Sequence, residues 1–370
     1  MEGVVRGMTE ARGSAWMGRR VFLTGHTGFK GSWLVQLLAR AGAEIDGYSL
    51  APPTAPSLFD AARIGDLMRR HVEADIRDAD RLAEEVARSR PDVVFHLAAQ
   101  PLVRRSHADP VETFSTNVTG TAHLLDAVRR AGRPCAVIVV TSDKCYEPRD
   151  DGAPHGEDDR LGGRDPYSAS KACAELVVAS YRTSHFPLER LSEHGVRLAT
   201  ARAGNVIGGG DWAEDRIVTD LVAHLAEGRP VPVRNPAAIR PWQHVLDPLA
   251  GYLTLAEALI ADRTGTFCRG WNFGPLPGGD VTVGGLVDAF IAAWGRGSWI
   301  DAHDPRAPVE TAVLRLSIER ALAELPWRPR FTPAEAIRRT ADWYRAFGTD
   351  GIDARQACEA DIEAHTTRGR

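Results

Sequence analysis

The order in which short apolar runs and amphipathic stretches follow one another most narrows what this chain can fold into. Arg20, Val21, Phe22, Leu23 and Thr24 make a short apolar run that ends in a glycine-rich turn, and residues 31–41 then carry Leu34, Leu37 and Leu38 at helical spacing. The alternation continues with strands over 43–50, 93–98, 136–141 and 196–202 and helices over 78–88, 116–131 and 168–185. Strands separated by helices return parallel to one another, so the expected fold class is α/β, a doubly wound parallel sheet with helices on both faces. Beyond Asn205 the rhythm breaks. Gly- and Pro-rich stretches at 208–212 and 229–241 predict a smaller C-terminal α/β substrate-binding lobe, with helices over 283–294 and 333–347. The expected division is a disordered extension over 1–13, order from near Trp16, and a dinucleotide-binding domain over 14–206 to which 241–271 returns. The lobe takes 207–240 and 272–348, and 349–370 forms a polar, loosely held tail.

The turn after the first strand reads Gly25-His26-Thr27-Gly28-Phe29-Lys30-Gly31. Glycines at this spacing, between a strand and the helix it opens, let backbone approach a pyrophosphate whose charge sits at the helix N-terminus, which makes the sheet Rossmann-like. Gly25, Gly28, Phe29, Lys30 and Gly31 are therefore candidate cofactor contacts. The acidic residue sought on the adenine ribose, or an arginine for NADP, is missing from Gly47-Tyr48-Ser49-Leu50, so this position does not choose between NAD and NADP. Asp75-Ile76, after the next strand-like stretch, offers two uses: contact with the adenine, or capping of the following helix.

Of 45 basic residues only Lys30, Lys144 and Lys171 are lysine. Where arginine supplies every generic positive charge, a lysine marks a place for a compact ammonium able to lose its proton. Lys171 follows Tyr167 by four positions, on the same helix face. With six tyrosines and three lysines in 370 positions, chance supplies about 0.05 such pairs. A nearby ammonium favours tyrosinate and is expected to bring the phenol down from about 10 toward working pH, where it takes a proton from a sugar hydroxyl. Ser142-Asp143-Lys144 follows an apolar strand, at the carboxyl end that faces the ligand crevice. Ser142 is suited to hydrogen-bond a reacting hydroxyl; Asp143 and Lys144 add an acid/base pair beyond what simple dehydrogenation requires.

A formal net charge of −4 gives no nucleic-acid or anionic-membrane footprint. No apolar run approaches the roughly 18 to 20 residues of a membrane span, and residues 1–20 lack a signal-peptide apolar segment, so a cytoplasmic location is expected. Five scattered cysteines without a Cys-x-x-Cys pair read as reduced thiols, and no metal is assigned; His303-Asp304 is an isolated loop pair. His96, inside a strand run, reads as a core histidine.

The motifs together resemble the extended short-chain dehydrogenase/reductase family of nucleotide-sugar enzymes, from about Trp16 to Phe347. Within it, the stretches 24–33, 96–105, 141–146, 202–212 and 240–245 are similar to those of the branch that dehydrates CDP-glucose. Relatives acting on dTDP-glucose have Asp-Glu where this chain reads Asp143-Lys144, and the epimerases lack the aspartate. The resemblance implies NAD as cofactor and a redox-neutral loss of water giving CDP-4-keto-6-deoxyglucose. It implies Tyr167 as base at the C4 hydroxyl, positioned by Ser142, with Asp143 as acid at the C6 hydroxyl and Lys171 holding the nicotinamide ribose. Lys144 stands as base at C5 or, if it stays charged, as a group polarising the ketone. Leu97, Ala98 and Ala99 are implied to line the NAD, and Asn205 and Arg240 to touch the nucleotide sugar; Arg216 and Gln100 either join them or serve surface and turn roles. Asn117 is either a strut beneath the site or a direct contact. A homodimer or homotetramer is expected, with Leu124, Leu125, Val128 and the helix after Tyr167 as its face or, alternatively, buried within the monomer.

Overall fold

The computed structural model describes residues 15–149, 151–303, 313–348 and 350–368; the expected extension over 1–13 and Asp304 lie outside them. The first half of the chain runs β1 (Arg20–Thr24), α1 (Phe29–Arg40), β2 (Glu44–Ser49), β3 (Arg70–Glu73), α2 (Ala79–Ser89), β4 (Val93–His96), α3 (Gly120–Ala131), β5 (Cys135–Val140), α4 (Pro166–Ser184) and β6 (Val196–Ala203). It continues through α5 (Ile217–Ala226), α6 (Leu246–Ala261), β7 (Gly270–Phe273), α7 (Val283–Trp294), α8 (Pro333–Gly348) and α9 (Ala354–Thr367).

Seven strands form one sheet in the order β7-β6-β5-β4-β1-β2-β3, parallel throughout. All six residues of β5 are buried, as a strand covered on both faces requires. Alternate residues divide between two cores: Val21 and Leu23 of β1 join Ile138 of β5 and Leu34 and Leu38 of α1 on one face. Phe22 joins Val137, Val139 and the inner sides of α2 and α3 on the other. Strand order reverses between β1 and β4, so the crevice at their carboxyl ends is where a ligand of this architecture sits.

Three expectations need correction. Leu124, Leu125 and Val128 are core residues under the sheet, with at most 2% exposure, and are not available as a face for a second copy. The helix expected over 116–131 opens with a π-helical turn over Ser115–Thr119, an arrangement that often accompanies functional sites. The tail is not loosely held: α9 is capped by the Asp353 side chain and buries Cys358 and Ile362. Its polar letters misled because Asp361 and His365 are themselves buried, pairing with Arg339 at 3.0 Å and with Asp247 at 2.9 Å.

Candidate active site

Gly25 follows β1 with φ +76, and a β-carbon there would lie 2.6 Å from the Ala98 amide nitrogen. At Gly31 a β-carbon would come within 2.2 Å of the Gly25 carbonyl oxygen. Only glycine lets the β1 loop fold back over α1 and against the end of β4. Gly28 caps α1 without a side chain, and no acid sits in the first turn, so no negative charge there competes for the first amides. This fits a pyrophosphate. Leu97, Ala98 and Ala99 are half-open at the end of β4, across the switch point from that loop.

Asp75 does not cap α2; Asp78 does, accepting from the Arg81 amide at 3.1 Å. The Asp75 carboxylate binds Arg77, whose hydrogen bonds hold it below its usual value. Its carbonyl takes the Tyr48 hydroxyl at 2.8 Å, and buried Ile76 packs against Gly120. His26, given no role from the sequence, lies 2.6 Å from His71 and edge-on to Phe59. Burial and the His71 charge push its pKa down to about 3.

At the end of β5, the Ser142 hydroxyl donates to Asp143 Oδ1 at 3.0 Å, accepts from the Lys144 amide at 3.2 Å, and shares a hydrogen bond with Tyr167. Asp165 caps α4 by accepting from the Ser168 amide at 2.9 Å, with Pro166 in the first turn; this places Tyr167 one residue into the helix. The Tyr167 amide donates to Ser106 Oγ at 3.1 Å, and Lys171 Nζ donates to the Val140 carbonyl at 3.3 Å, tying α4 to both sides of the crevice.

Burial raises the pKa of Asp143, opposed by Lys144, Ser142, Arg240 and Lys30. Its Oδ2 is buried without a hydrogen-bond partner. Burial also raises the Tyr167 phenol, against the Ser142 hydrogen bond and Arg216. The expected lowering by Lys171 is not what the structure has; the cation bearing on the phenol is Arg216. Lys171 is itself pushed down to about 8 by burial, against Cys145 and Glu175. Lys30 is half-buried as a residue, yet burial pushes it down to about 8 as well, with Asp143 opposing and Lys171 and Arg216 reinforcing the shift. Its ammonium thus belongs to the chemical end of the crevice.

The linkage of Lys171 to folding is testable. Unfolded it titrates near 10.5 and folded near 8, so between these values the unfolded chain binds more protons. Its contribution to stability is present above the upper value and lost as pH falls through the lower, with a slope on the order of 1.4 kcal/mol per pH unit. Thermal melts of Lys171→Met between these pH values should show a shallower rise with pH than the wild type; equal slopes would refute the buried ammonium.

Arg216, Arg240 and the β5 end converge, because both guanidinium charges bear on this cluster. Arg240 is buried and donates to the Ile239 carbonyl at 2.9 Å. Asn205 follows Gly204, where a β-carbon would stand 3.1 Å from Asp143 Oδ2; its carbonyl accepts from the Gln243 amide at 3.0 Å. Gln100 is a different case. Its amide is spent on Leu102 and Thr113, and its backbone is clamped by Asn117, which also donates to Ser170 at 2.8 Å. Asn117 is the strut, and Gln100 belongs with it rather than with a ligand. His96 is a satisfied core histidine, 2.7 Å from Thr24 Oγ1 and 3.1 Å from Thr121 Oγ1.

Two groups escaped sequence reading. Glu175, one turn after Lys171, receives both nitrogens of a buried Arg202 fork at 2.8 Å, together with the Thr141 and Thr200 hydroxyls. Tyr252 on α6 is fully buried, with its ring 5.9 Å from Lys30 Nζ. The i to i+4 spacing from Lys171 was the available signal for Glu175; for Tyr252 there was none.

A family model described as the NAD dependent epimerase/dehydratase family matches residues 21–267. The chain is 46% identical over 356 residues to a CDP-glucose 4,6-dehydratase of Salmonella typhimurium, covering 95% of this chain and 98% of that one. It is 33% identical to a dTDP-glucose 4,6-dehydratase of Streptomyces antibioticus, covering 88% and 92%. Among solved structures, the dTDP-glucose 4,6-dehydratase DesIV of Streptomyces venezuelae, with NAD bound, superposes with a TM-score of 0.74 at 28% identity, covering 88% and 97%.

Proposed function

Since the chain belongs to the NAD-dependent epimerase/dehydratase family, we propose that it dehydrates CDP-glucose to CDP-4-keto-6-deoxyglucose, a lyase reaction in deoxysugar synthesis. The observation that carries dehydration over epimerisation is Asp143, a buried carboxyl beside Ser142 at the end of β5, whose pKa burial shifts upward, the direction that suits a proton donor. Epimerisation at C4 needs no such acid.

Gly25, Gly28, Phe29, Gly31 and the backbone of Lys30 would hold the pyrophosphate, Leu97 to Ala99 the crevice wall, Asp75 and Ile76 the adenine side, and Lys171 the nicotinamide ribose, while the Lys30 ammonium points to the chemical end of the crevice. When bound, NAD would supply the hydride acceptor for C4 and, once reduced, the hydride donor for C6. Tyr167 takes the proton of the C4 hydroxyl, which Ser142 positions by hydrogen bonding. Arg216 beside the phenol stabilises the tyrosinate formed. The C4 ketone acidifies C5, and Lys144 acts there on the C5 proton. Asp143 gives its proton to the C6 oxygen, which leaves as water. Arg216 and Arg240 offer forked donors to the sugar diphosphate, with Asn205 alongside. Arg216 and Arg240 both fall in the substrate lobe proposed over 207–240 and 272–348, less Asn272 and Phe273, which β7 keeps in the main sheet.

The test is incubation of purified protein and NAD separately with CDP-glucose, dTDP-glucose, UDP-glucose and GDP-mannose, reading the alkali-induced ultraviolet absorbance of a 4-keto-6-deoxy product. Signal with CDP-glucose alone is expected. Signal with another nucleotide instead overturns the base assignment and keeps the chemistry. Silence with all four favours an epimerase or a dinucleotide-binding scaffold.

A further inference from the structure

Tyr252 is a buried side chain that no part of the fold explains. It sits on α6 with 0% exposure, its ring edge-on to Phe273 at 5.5 Å between centroids. Its hydroxyl has no hydrogen-bond partner among the described residues. An unpaired buried hydroxyl costs roughly a tenfold or larger factor in folding equilibrium, and phenylalanine would fill the same space without that cost. The fold therefore keeps the oxygen for something other than stability.

Its surroundings say what. Lys30 Nζ stands 5.9 Å from the ring centroid, and the charges that bear on the hydroxyl are those of Tyr167 and Asp143. Asp143, whose charge bears on that hydroxyl, carries a second orphan: its Oδ2 has no hydrogen-bond partner among the described residues, and a β-carbon on Gly204 would stand 3.1 Å from it. One is a carboxyl oxygen, the other a hydroxyl that can donate or accept, and both are cut off from bulk solvent.

We propose that the Tyr252 hydroxyl and Asp143 Oδ2 together bind the C6 oxygen of the sugar and the water it becomes, making Tyr252 a further catalytic residue of the elimination. This rests on the dehydratase reading above. In the substrate the phenol donates to a lone pair of the C6 hydroxyl. Asp143 then passes its proton to that oxygen, the C6–O bond breaks with its electron pair going to oxygen, and the C5–H pair becomes the C5=C6 bond as the C5 proton goes to the base. The leaving oxygen carries two protons and departs neutral. In a site without bulk water it needs a second polar partner besides the acid, and Tyr252 supplies it.

Tyr252→Phe tests this, using whichever nucleotide sugar the wild type turns over, so that a wrong base assignment leaves the comparison intact. Expected are an unchanged or higher melting temperature, kcat lower by about 10- to 100-fold and KM changed little, as for loss of one hydrogen bond to the reacting oxygen. Because elimination becomes limiting, the deuterium isotope effect on kcat should grow for substrate labelled at C5 and shrink for substrate labelled at C4. Wild-type kcat and isotope effects in the variant would overturn the proposal. So would a fall in melting temperature, which would show the hydroxyl to be structural. A wild type inert toward every nucleotide sugar would overturn the dehydratase reading and this inference with it.

Discussion

Asp143→Asn should lower kcat by about 10²- to 10⁴-fold, the range for removal of a general acid, and yet yield a protein that melts higher than wild type at alkaline pH. Both effects come from burial. A carboxyl whose folded pKa is raised contributes stability that is whole below its ordinary value near 3.8 and is lost as pH rises through the raised one. Asparagine has nearly the same shape and nothing to titrate. The two proteins' melts should therefore coincide in acid and separate as pH rises, by at most about 1.4 kcal/mol for each pH unit across the window. Ser142 remains in place to hydrogen-bond the substituted side chain. Turnover within a few-fold of wild type would remove Asp143 from the acid's role, and a variant that melts lower throughout would mean that the carboxylate is held by its cationic neighbours rather than strained by burial.

The largest loss of stability should follow Glu175→Gln. Glu175 and Arg202 have side chains only 4% and 6% exposed. Burial pushes the Glu175 carboxyl up, but Arg202 and the two threonine hydroxyls overcome it and hold the group below its usual value. Removing the negative charge leaves a guanidinium buried without its counter-ion, a change worth about 3–5 kcal/mol. A double replacement, Glu175→Met with Arg202→Met, should recover part of that loss, because the penalty belongs to the unpaired charge more than to the missing attraction. Denaturant unfolding of the three proteins decides it: a Glu175→Gln variant within about 1 kcal/mol of wild type would show that solvent reaches Arg202. Thr141, hydrogen-bonded to Glu175, directly precedes Ser142, so the same variant should also loosen the β5 end that carries the acid.

The parts legible in the sequence were those with an apolar run or a fixed spacing. Continuous apolar runs marked β1 and β5 as strands covered on both faces, with Phe22 and Val137 on one and Leu23 and Ile138 on the other, and the four-residue step from Tyr167 to Lys171 puts both on one side of α4. The glycine spacing placed the loop that Gly25 and Gly31 close. What escaped depends on which atom meets which across long separations. Leu124 and Val128 show an apolar stripe whether they face the sheet or a second subunit. Gln100 is the right chemistry for a sugar contact, but its amide closes its own loop. The lowering of Tyr167 by Lys171 was inferred from sequence neighbourhood, whereas burial raises the phenol, opposed first by the Ser142 hydrogen bond and then by Arg216, 49 positions away. Tyr252 looks like any apolar position of α6, and only its unpartnered oxygen sets it apart.

The scarcity of lysine has a practical side. All three ammonium groups of this chain, Lys30, Lys144 and Lys171, stand on the motifs that line the crevice, and the remaining basic surface is arginine. Two of them have pKa values near 8, so in mildly alkaline buffer a large share of each is free amine. Acylating reagents and amine-directed cross-linkers find no side-chain target elsewhere on the molecule. Apart from the chain's own α-amino group, any label that such a reagent leaves behind marks the crevice, and protection from it by a bound nucleotide sugar can be read by mass alone.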